Sequence, residues 1–100
     1  MYIRINRGTF DTAKAHDVIE MLRTSEEQLA PALKQLPGLH SYQTGIDAER
    51  GTMIAISVWD TAEHAQSLSQ LPEMNALRST FQRYGIVFDP ISTYDILWQV

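Results

Sequence analysis

The sequence predicts an α+β fold of the ferredoxin-like, split βαβ type, with the order β-α-β-β-α-β and a four-stranded antiparallel sheet. Three observations carry this prediction. Alternating apolar residues begin and end the chain, two long segments keep the helical period, and a hairpin pattern lies between them at 39–59. We expect a single domain over residues 1–100, because no repeat or linker divides the chain.

The first strand is predicted at Tyr2–Thr9. Ile3 and Ile5 point to one side of this strand, and Arg4 and Asn6 point to the other.

The first helical segment follows, with Asp11 or Thr12 as its N-cap. Pro31 removes one backbone hydrogen bond from this segment, and Ser25 is a suitable cap for a second helix. We therefore expect a kink or a break between Thr24 and Pro31.

A hairpin is predicted next, with strands from Leu39 through Ile46 and over Thr52–Trp59. The turn over Asp47–Gly51 needs a positive φ at its final glycine, and Gly38 is a typical left-handed C-cap of the preceding helix.

The second helical region is predicted over Thr61–Tyr84, with Asp60 as its N-cap and Glu63 completing a capping box. An interruption is expected at Leu71-Pro72, and Gly85 ends the region.

The last strand is predicted at Ile91–Val100 and carries the aromatic residues Tyr94 and Trp98. This strand and the strand at Thr52–Trp59 are apolar on both faces. At about 25 cal/mol per Å², an uncovered apolar sheet face forgoes several kcal/mol and promotes aggregation. We therefore predict a homodimer in which two sheets pack face to face.

The composition narrows the range of partners. There are 12 acidic and 8 basic residues and a net charge of −4, which disfavours nucleic acids and anionic membranes. There is no cysteine, and no apolar run is long enough to cross a bilayer. A soluble, cytoplasmic protein with no membrane partner is expected.

Four stretches, at 2–7, 29–39, 56–63 and 94–96, resemble the antibiotic biosynthesis monooxygenase (ABM) domains of the dimeric α/β-barrel superfamily. The resemblance covers nearly the whole chain in order. It implies a homodimer with a cavity between sheet and helices in each subunit. Members include cofactor-independent oxygenases of polycyclic phenols, quinol oxygenases and haem-degrading enzymes.

Departures from the family pattern bear on the activity. Many members carry a histidine where this chain has Leu68. The Asn, Trp and iron-binding His of haem-degrading members fall at Asn6, Leu68 and Arg78, so only the Asn is retained. An arginine does not give up a proton to bind iron. The resemblance therefore disfavours haem degradation, and we predict no cofactor.

Asn6 is the catalytic candidate, because an amide on a strand of isoleucines can hold a substrate oxygen or stabilise charge derived from O₂. A local hydrogen bond near the strand end is the alternative. Arg4 has two open interpretations: it neutralises an anionic substrate, or it pairs with Asp95 or a glutamate. The candidate substrate-binding residues are Trp59, His64, Leu68, Arg78 and Phe81.

Some of these candidates have simpler interpretations. A tryptophan such as Trp59 is more often a core residue than a platform for a ligand. His64 lies one helical turn before Leu68 and so keeps roughly the same face. The three histidines lack the spacing of a helical metal site, and no metal is predicted. His40 and Tyr42 share a strand face and can bind a phenolic ligand.

Two functions follow from the sequence. The first is a small cofactor-independent monooxygenase acting on a phenolic or quinol-like compound. The alternative is a non-catalytic dimeric module that binds a small apolar or aromatic molecule or serves in a stress response. Oxygen consumption by the purified protein distinguishes them.

Overall fold

The computed structural model describes all of residues 1–100 and contains five strands and three α-helices. The strands are β1 (Tyr2–Thr9), β2 (Leu39–Asp47), β3 (Thr52–Trp59), β4 (Val87–Phe88) and β5 (Ser92–Asp95). The helices are α1 (Ala15–Leu33), α2 (Ala62–Ser67) and α3 (Pro72–Arg83). Short 3₁₀ turns precede α1 at Thr12–Lys14 and join α2 to α3 at Leu68–Gln70.

All strand pairs are antiparallel, and β1 lies inside the sheet. The order is β2-β3-β1-β4, and β5 also pairs with β1. β4 pairs with Gly8 and Thr9, whereas β5 pairs with the segment Tyr2–Ile5. Two short strands therefore share the position of the predicted fourth strand. The predicted α+β, ferredoxin-like arrangement is confirmed.

The last strand is shorter than predicted and has a second strand before it. Pro90 lies between β4 and β5 and has no N–H to donate to a ladder. At the other end, Ile96 N donates to Met1 O at 2.9 Å. Leu97 and Trp98 lie beyond the end of β5, with 90% and 79% of their surface exposed.

The core lies between the sheet and the helices. Trp59 on β3 and Val18 on α1 are completely buried there. The Trp59 indole N–H donates to Ser57 Oγ at 2.7 Å, so the two buried polar groups satisfy each other. The remaining helical core residues are Met21, Leu29 and Leu33 on α1, Ala65 on α2, and Met74, Leu77 and Phe81 on α3.

The outer face of the sheet carries no helix. Its register pairs Ile3 with Val58 and Ile5 with Ile56. The neighbouring Arg4 donates to Ser69 in the turn between α2 and α3, so the residues alternating with these isoleucines point to the helices. Half-buried aliphatic side chains therefore form a continuous patch on the side opposite the helices.

Helix α1 is continuous where a kink or a break was predicted. Pro31 lies in its last turn, so the missing N–H affects only the end of the helix. Ser25 Oγ donates to Leu22 O at 2.8 Å instead of capping a second helix. The predicted cap at Asp11 is confirmed, since its carboxylate accepts from Ala13 N at 3.0 Å.

The second helical region is interrupted as predicted, and Pro72 is the first residue of α3. The predicted cap at Asp60 is wrong. Thr61 Oγ1 accepts from His64 N at 3.1 Å, while the Asp60 carboxylate bonds to the His64 ring instead. Every helix falls short of the combined length and apolar character that a bilayer crossing requires.

Gly38 joins α1 to β2 with φ = 82°, in the left-handed region predicted for it. Its carbonyl accepts from Asp60 N at 2.9 Å, which ties this turn to the start of α2. A Cβ at this position would collide with the carboxylate of Asp60 and the ring of His64.

Gly38→Ala should lower the free energy of unfolding by about 2 kcal/mol or more, from left-handed strain and this collision. Urea unfolding followed by circular dichroism measures the loss. Gly45→Ala is the matched control, because its Cβ would meet Ile54 at an ordinary 3.5 Å without a positive φ. Equal losses in the two variants would contradict this assignment.

Candidate functional site

A cavity of about 1200 Å³ lies between the inner face of the sheet and helices α1 and α3. Of its 31 lining residues, 17 are hydrophobic. Sites for small organic molecules typically combine apolar walls with polar groups that orient the ligand. The walls include Leu22, Leu29 and Leu33 from α1 and Met74, Leu77 and Phe81 from α3.

Polar side chains from β1 and β2 lie on the cavity floor, and β3 runs between these two strands. Arg4 is paired with Ser57, which is paired with Tyr42, so the three form one row across the sheet. The next row is Asn6, Ala55 and Thr44. Because residues opposite each other on neighbouring strands share a face, both rows point to the helices.

Asn6 is the least satisfied residue of the cavity. Its Oδ1 is the only buried side-chain oxygen or nitrogen in the protein without a hydrogen-bond partner. Such an atom typically costs about 1–3 kcal/mol. A ligand donor placed in the cavity would satisfy this oxygen.

Arg4 is only 7% exposed, and its Nη2 donates to Ser69 Oγ at 2.7 Å. The predicted ion pair with Asp95 or a glutamate is wrong, since no carboxylate lies within 4.0 Å of the guanidinium. Asp95 instead takes part in the β1–β5 ladder opposite Tyr2. Burial lowers the pKa of Arg4, and its neighbour Tyr42 partly offsets that effect.

Tyr42 presents a neutral phenol to the same region. Burial raises the pKa of Tyr42, while Arg4 and a hydrogen bond with Thr44 act in the opposite direction. At neutral pH the hydroxyl therefore keeps its proton and can donate it in a hydrogen bond.

Arg78 lies on α3 at the solvent-exposed rim of the cavity. Its Nη1 donates to Asn75 Oδ1 at 2.9 Å, and its Nη2 approaches Ser69 O at 3.4 Å. Phe81, one turn further along α3, is buried and packs against Phe88 with ring centroids 5.1 Å apart.

The structure brings together three of the six predicted site residues. Asn6, Arg78 and Phe81 all line the cavity. Trp59 on β3 and Leu68 lie in the core outside it. Leu68 is buried because α2 ends at Ser67 and the following turn directs its side chain inward.

His64 also lies outside the cavity. Its Nδ1 is 2.7 Å from Asp60 Oδ1, and both side chains are partly exposed. The hydrogen bond with His64 is the main cause that lowers the pKa of Asp60. His64 therefore belongs to the junction between Gly38 and α2.

Sequence reasoning missed Thr44 and Ser69. The position of Thr44 could have been predicted from the sequence, because it follows Tyr42 at the two-residue spacing of one strand face. Ser69 had none, because its contact with Arg4 spans 65 positions of sequence. His40 and Tyr42, predicted to share a face, both line the cavity.

No protein-family model and no curated protein matches the chain. Solved structures do match it over nearly its full length. A candidate antibiotic biosynthesis monooxygenase from Deinococcus radiodurans has a TM-score of 0.76 at 18% identity, covering 100% of this chain and 96% of its own. A second from Nitrosomonas europaea has a TM-score of 0.73 at 19% identity, covering 98% of this chain and 100% of its own.

A third similar structure is SnoaB, a cofactor-independent oxygenase from Streptomyces nogalater. Its TM-score is 0.70 at 11% identity, and the match covers 99% of this chain and 95% of SnoaB. The chain thus has the fold of the antibiotic biosynthesis monooxygenases, as the sequence motifs predicted.

Two buried polar residues on the inner sheet face should respond differently to truncation. Ser57→Ala leaves the Trp59 N–H buried without an acceptor and should cost about 1–3 kcal/mol. Asn6→Ala should change stability by less than about 1 kcal/mol, because Oδ1 has no hydrogen bond to lose. Urea unfolding of both variants measures the difference, and a larger loss for Asn6→Ala would contradict an unpartnered amide.

Proposed function

We propose that this protein is a cofactor-independent monooxygenase that oxidises a phenolic or quinol-like compound in the cavity under α1 and α3. The unpartnered, buried oxygen of Asn6 carries this proposal. A polar atom left without a partner in a cavity is satisfied when a ligand supplies the missing donor. The shared fold with SnoaB, a cofactor-independent oxygenase, supports it.

The substrate supplies all the electrons in this reaction. An ionised phenol transfers an electron to O₂, and the two radicals combine to form a hydroperoxide on a ring carbon. Loss of water then gives the quinone, so one oxygen atom enters the ring and the other leaves as water. The water takes the two hydrogens that the ring C–H and the phenol O–H lose.

The chain's own residues favour these steps through position and charge. The neutral Tyr42 hydroxyl can donate a hydrogen bond to the oxygen of the ionised phenol. The amide of Asn6 can accept from a substrate hydroxyl or donate to the developing peroxide. The apolar walls keep water from the ionised phenol and the radicals.

A non-catalytic binding module is the second candidate. It is favoured by Leu68, which is 1% exposed in the core at the position where many ABM domains carry a histidine. In that case the cavity would hold a small aromatic molecule without turning it over.

Oxygen consumption with anthrone, a tautomer of a phenol, separates the two candidates. The metal-free protein should consume O₂ faster than the blank and form anthraquinone, with one ¹⁸O atom per product when ¹⁸O₂ is supplied. Asn6→Ala should reduce the rate about tenfold or more, as loss of a positioned polar group does in other enzymes.

Ser57→Ala is the control, because Ser57 lies on the same sheet face but does not line the cavity. It should lose stability and keep its rate at temperatures where it is folded. Anthrone binding without O₂ uptake above the blank would favour the binding module and refute the oxygenase.

We further propose a homodimer formed by sheet-to-sheet packing. The outer sheet face carries aliphatic residues from β1 and β3, and Tyr94 on β5 pairs with Ile3 at 54% exposure. The exposed Leu97 and Trp98 follow directly. A stable interface needs about 800 Å² from each partner, which a second copy of the same apolar face can provide.

Light scattering after size exclusion should give twice the chain mass of 11.4 kDa at micromolar concentration. Ile56→Glu should shift the protein to a monomer or to aggregates, because the interface would bury an unpaired charge. Gln66→Glu, on the exposed side of α2, is the control and should remain a dimer. A monomeric wild type would refute the proposal.

A further inference from the structure

The cavity has a basic lining in an acidic protein. The chain has a net charge of −4, yet four basic and two acidic residues line the cavity. One of the two acids, Asp89, is already held by Arg7 at 3.1 Å, and Arg7 does not line the cavity. The other acid, Glu26, forms no ion pair. The four basic residues are Arg4, Arg23, Lys34 and Arg78.

Two of these cations meet at one residue. Ser69 accepts from Arg4 through its hydroxyl at 2.7 Å and from Arg78 through its carbonyl at 3.4 Å. Both acceptors are neutral, and neither guanidinium has a carboxylate within 4.0 Å. Two arginines are thus held close together without a negative partner.

This arrangement is costly unless an anion joins it. Arg4 is 7% exposed, and a buried charge without a counter-charge opposes folding. Tyr42 does not supply that counter-charge, because burial raises the pKa of its phenol. Arginine forks bind carboxylates through two parallel N–H···O bonds.

We infer that the cavity takes an aromatic carboxylate, whose anionic group binds between Arg4 and Arg78 while its rings lie against the apolar walls. This inference rests on the proposed function only in using the same cavity. It adds a chemical class to the ligand: a fixed anion at one end of the ring system, separate from the oxidised phenol.

The strand geometry also places a second polar group within reach of such a ligand. Arg4 and Asn6 lie two residues apart on one face of β1, so their Cα atoms are about 7 Å apart. A ligand whose carboxylate is held at Arg4 can therefore place a phenol oxygen near Asn6.

Equilibrium dialysis of two matched probes tests the inference. Anthracene-2-carboxylate and its neutral amide, anthracene-2-carboxamide, differ chiefly in charge. The wild-type protein should bind the carboxylate about tenfold or more tightly than the amide, which is the usual strength of a charge-assisted hydrogen bond. Raising NaCl from 50 to about 500 mM should weaken the binding of the carboxylate more than the binding of the amide.

Three arginine variants test which side chains cause the preference for the carboxylate over the amide. Arg4→Met and Arg78→Met should each reduce it to about threefold or less. Arg83→Met is the matched control, since Arg83 is an exposed arginine on the same helix as Arg78 but does not line the cavity, and it should keep the full preference. Circular dichroism checks folding, and Arg78→Met decides the question if Arg4→Met does not fold.

The outcomes separate this inference from the proposed oxygenase. Equal binding of the two probes overturns the inference, and so does an equal loss of preference in Arg83→Met. Neither outcome decides whether the protein is an oxygenase, which O₂ uptake with anthrone tests separately. Charge-selective binding without any O₂ uptake supports the inference and refutes the oxygenase. Binding of neither probe overturns the inference and removes the cavity as an aromatic ligand site.

Discussion

The register of β1 is the constraint on which the rest of the structure depends. This strand pairs with β3 on one side and with β4 and β5 on the other, so its alternation is fixed from both edges. A slip of one residue would turn every side chain to the opposite face of the sheet. Arg4 and Asn6 would then leave the cavity, and Ile3 and Ile5 would enter it. One alignment therefore creates both the polar cavity floor and the apolar outer face.

The cavity is maintained at a cost in stability. A well-packed apolar floor of similar volume would hold the helices at least as firmly, because a buried charge and an unpartnered amide oxygen both oppose folding. The surrounding core offsets this cost with complete burial of Trp59 and with a hydrogen bond for its indole. This cost to folding is the physical reason for the proposal that the polar floor serves ligand binding.

The features that were predicted correctly depend on local interactions, and those that were missed depend on contacts between distant parts of the chain. The bounds of β1 and β3, the left-handed Gly38 and the interruption at Pro72 depend on local backbone preferences, and all were predicted correctly. The direction of Leu68 was not predictable, because it depends on how the turn after α2 packs onto the core. The same holds for Arg4, whose partner Ser69 is close only after the sheet and helices assemble.

The pairing of β1 with β4 and β5 also governs how the protein folds. Residues 2–9 find their partners on that edge only at 87–95, so this part of the sheet joins opposite ends of the chain. Contacts between distant segments require loop closure before they stabilise anything, and domains rich in them fold more slowly than helical bundles. The β2–β3 hairpin, whose strands are joined by a turn of only four residues, can form much earlier. Until the ends meet, one edge of β1 stays open to pairing with strands of other molecules.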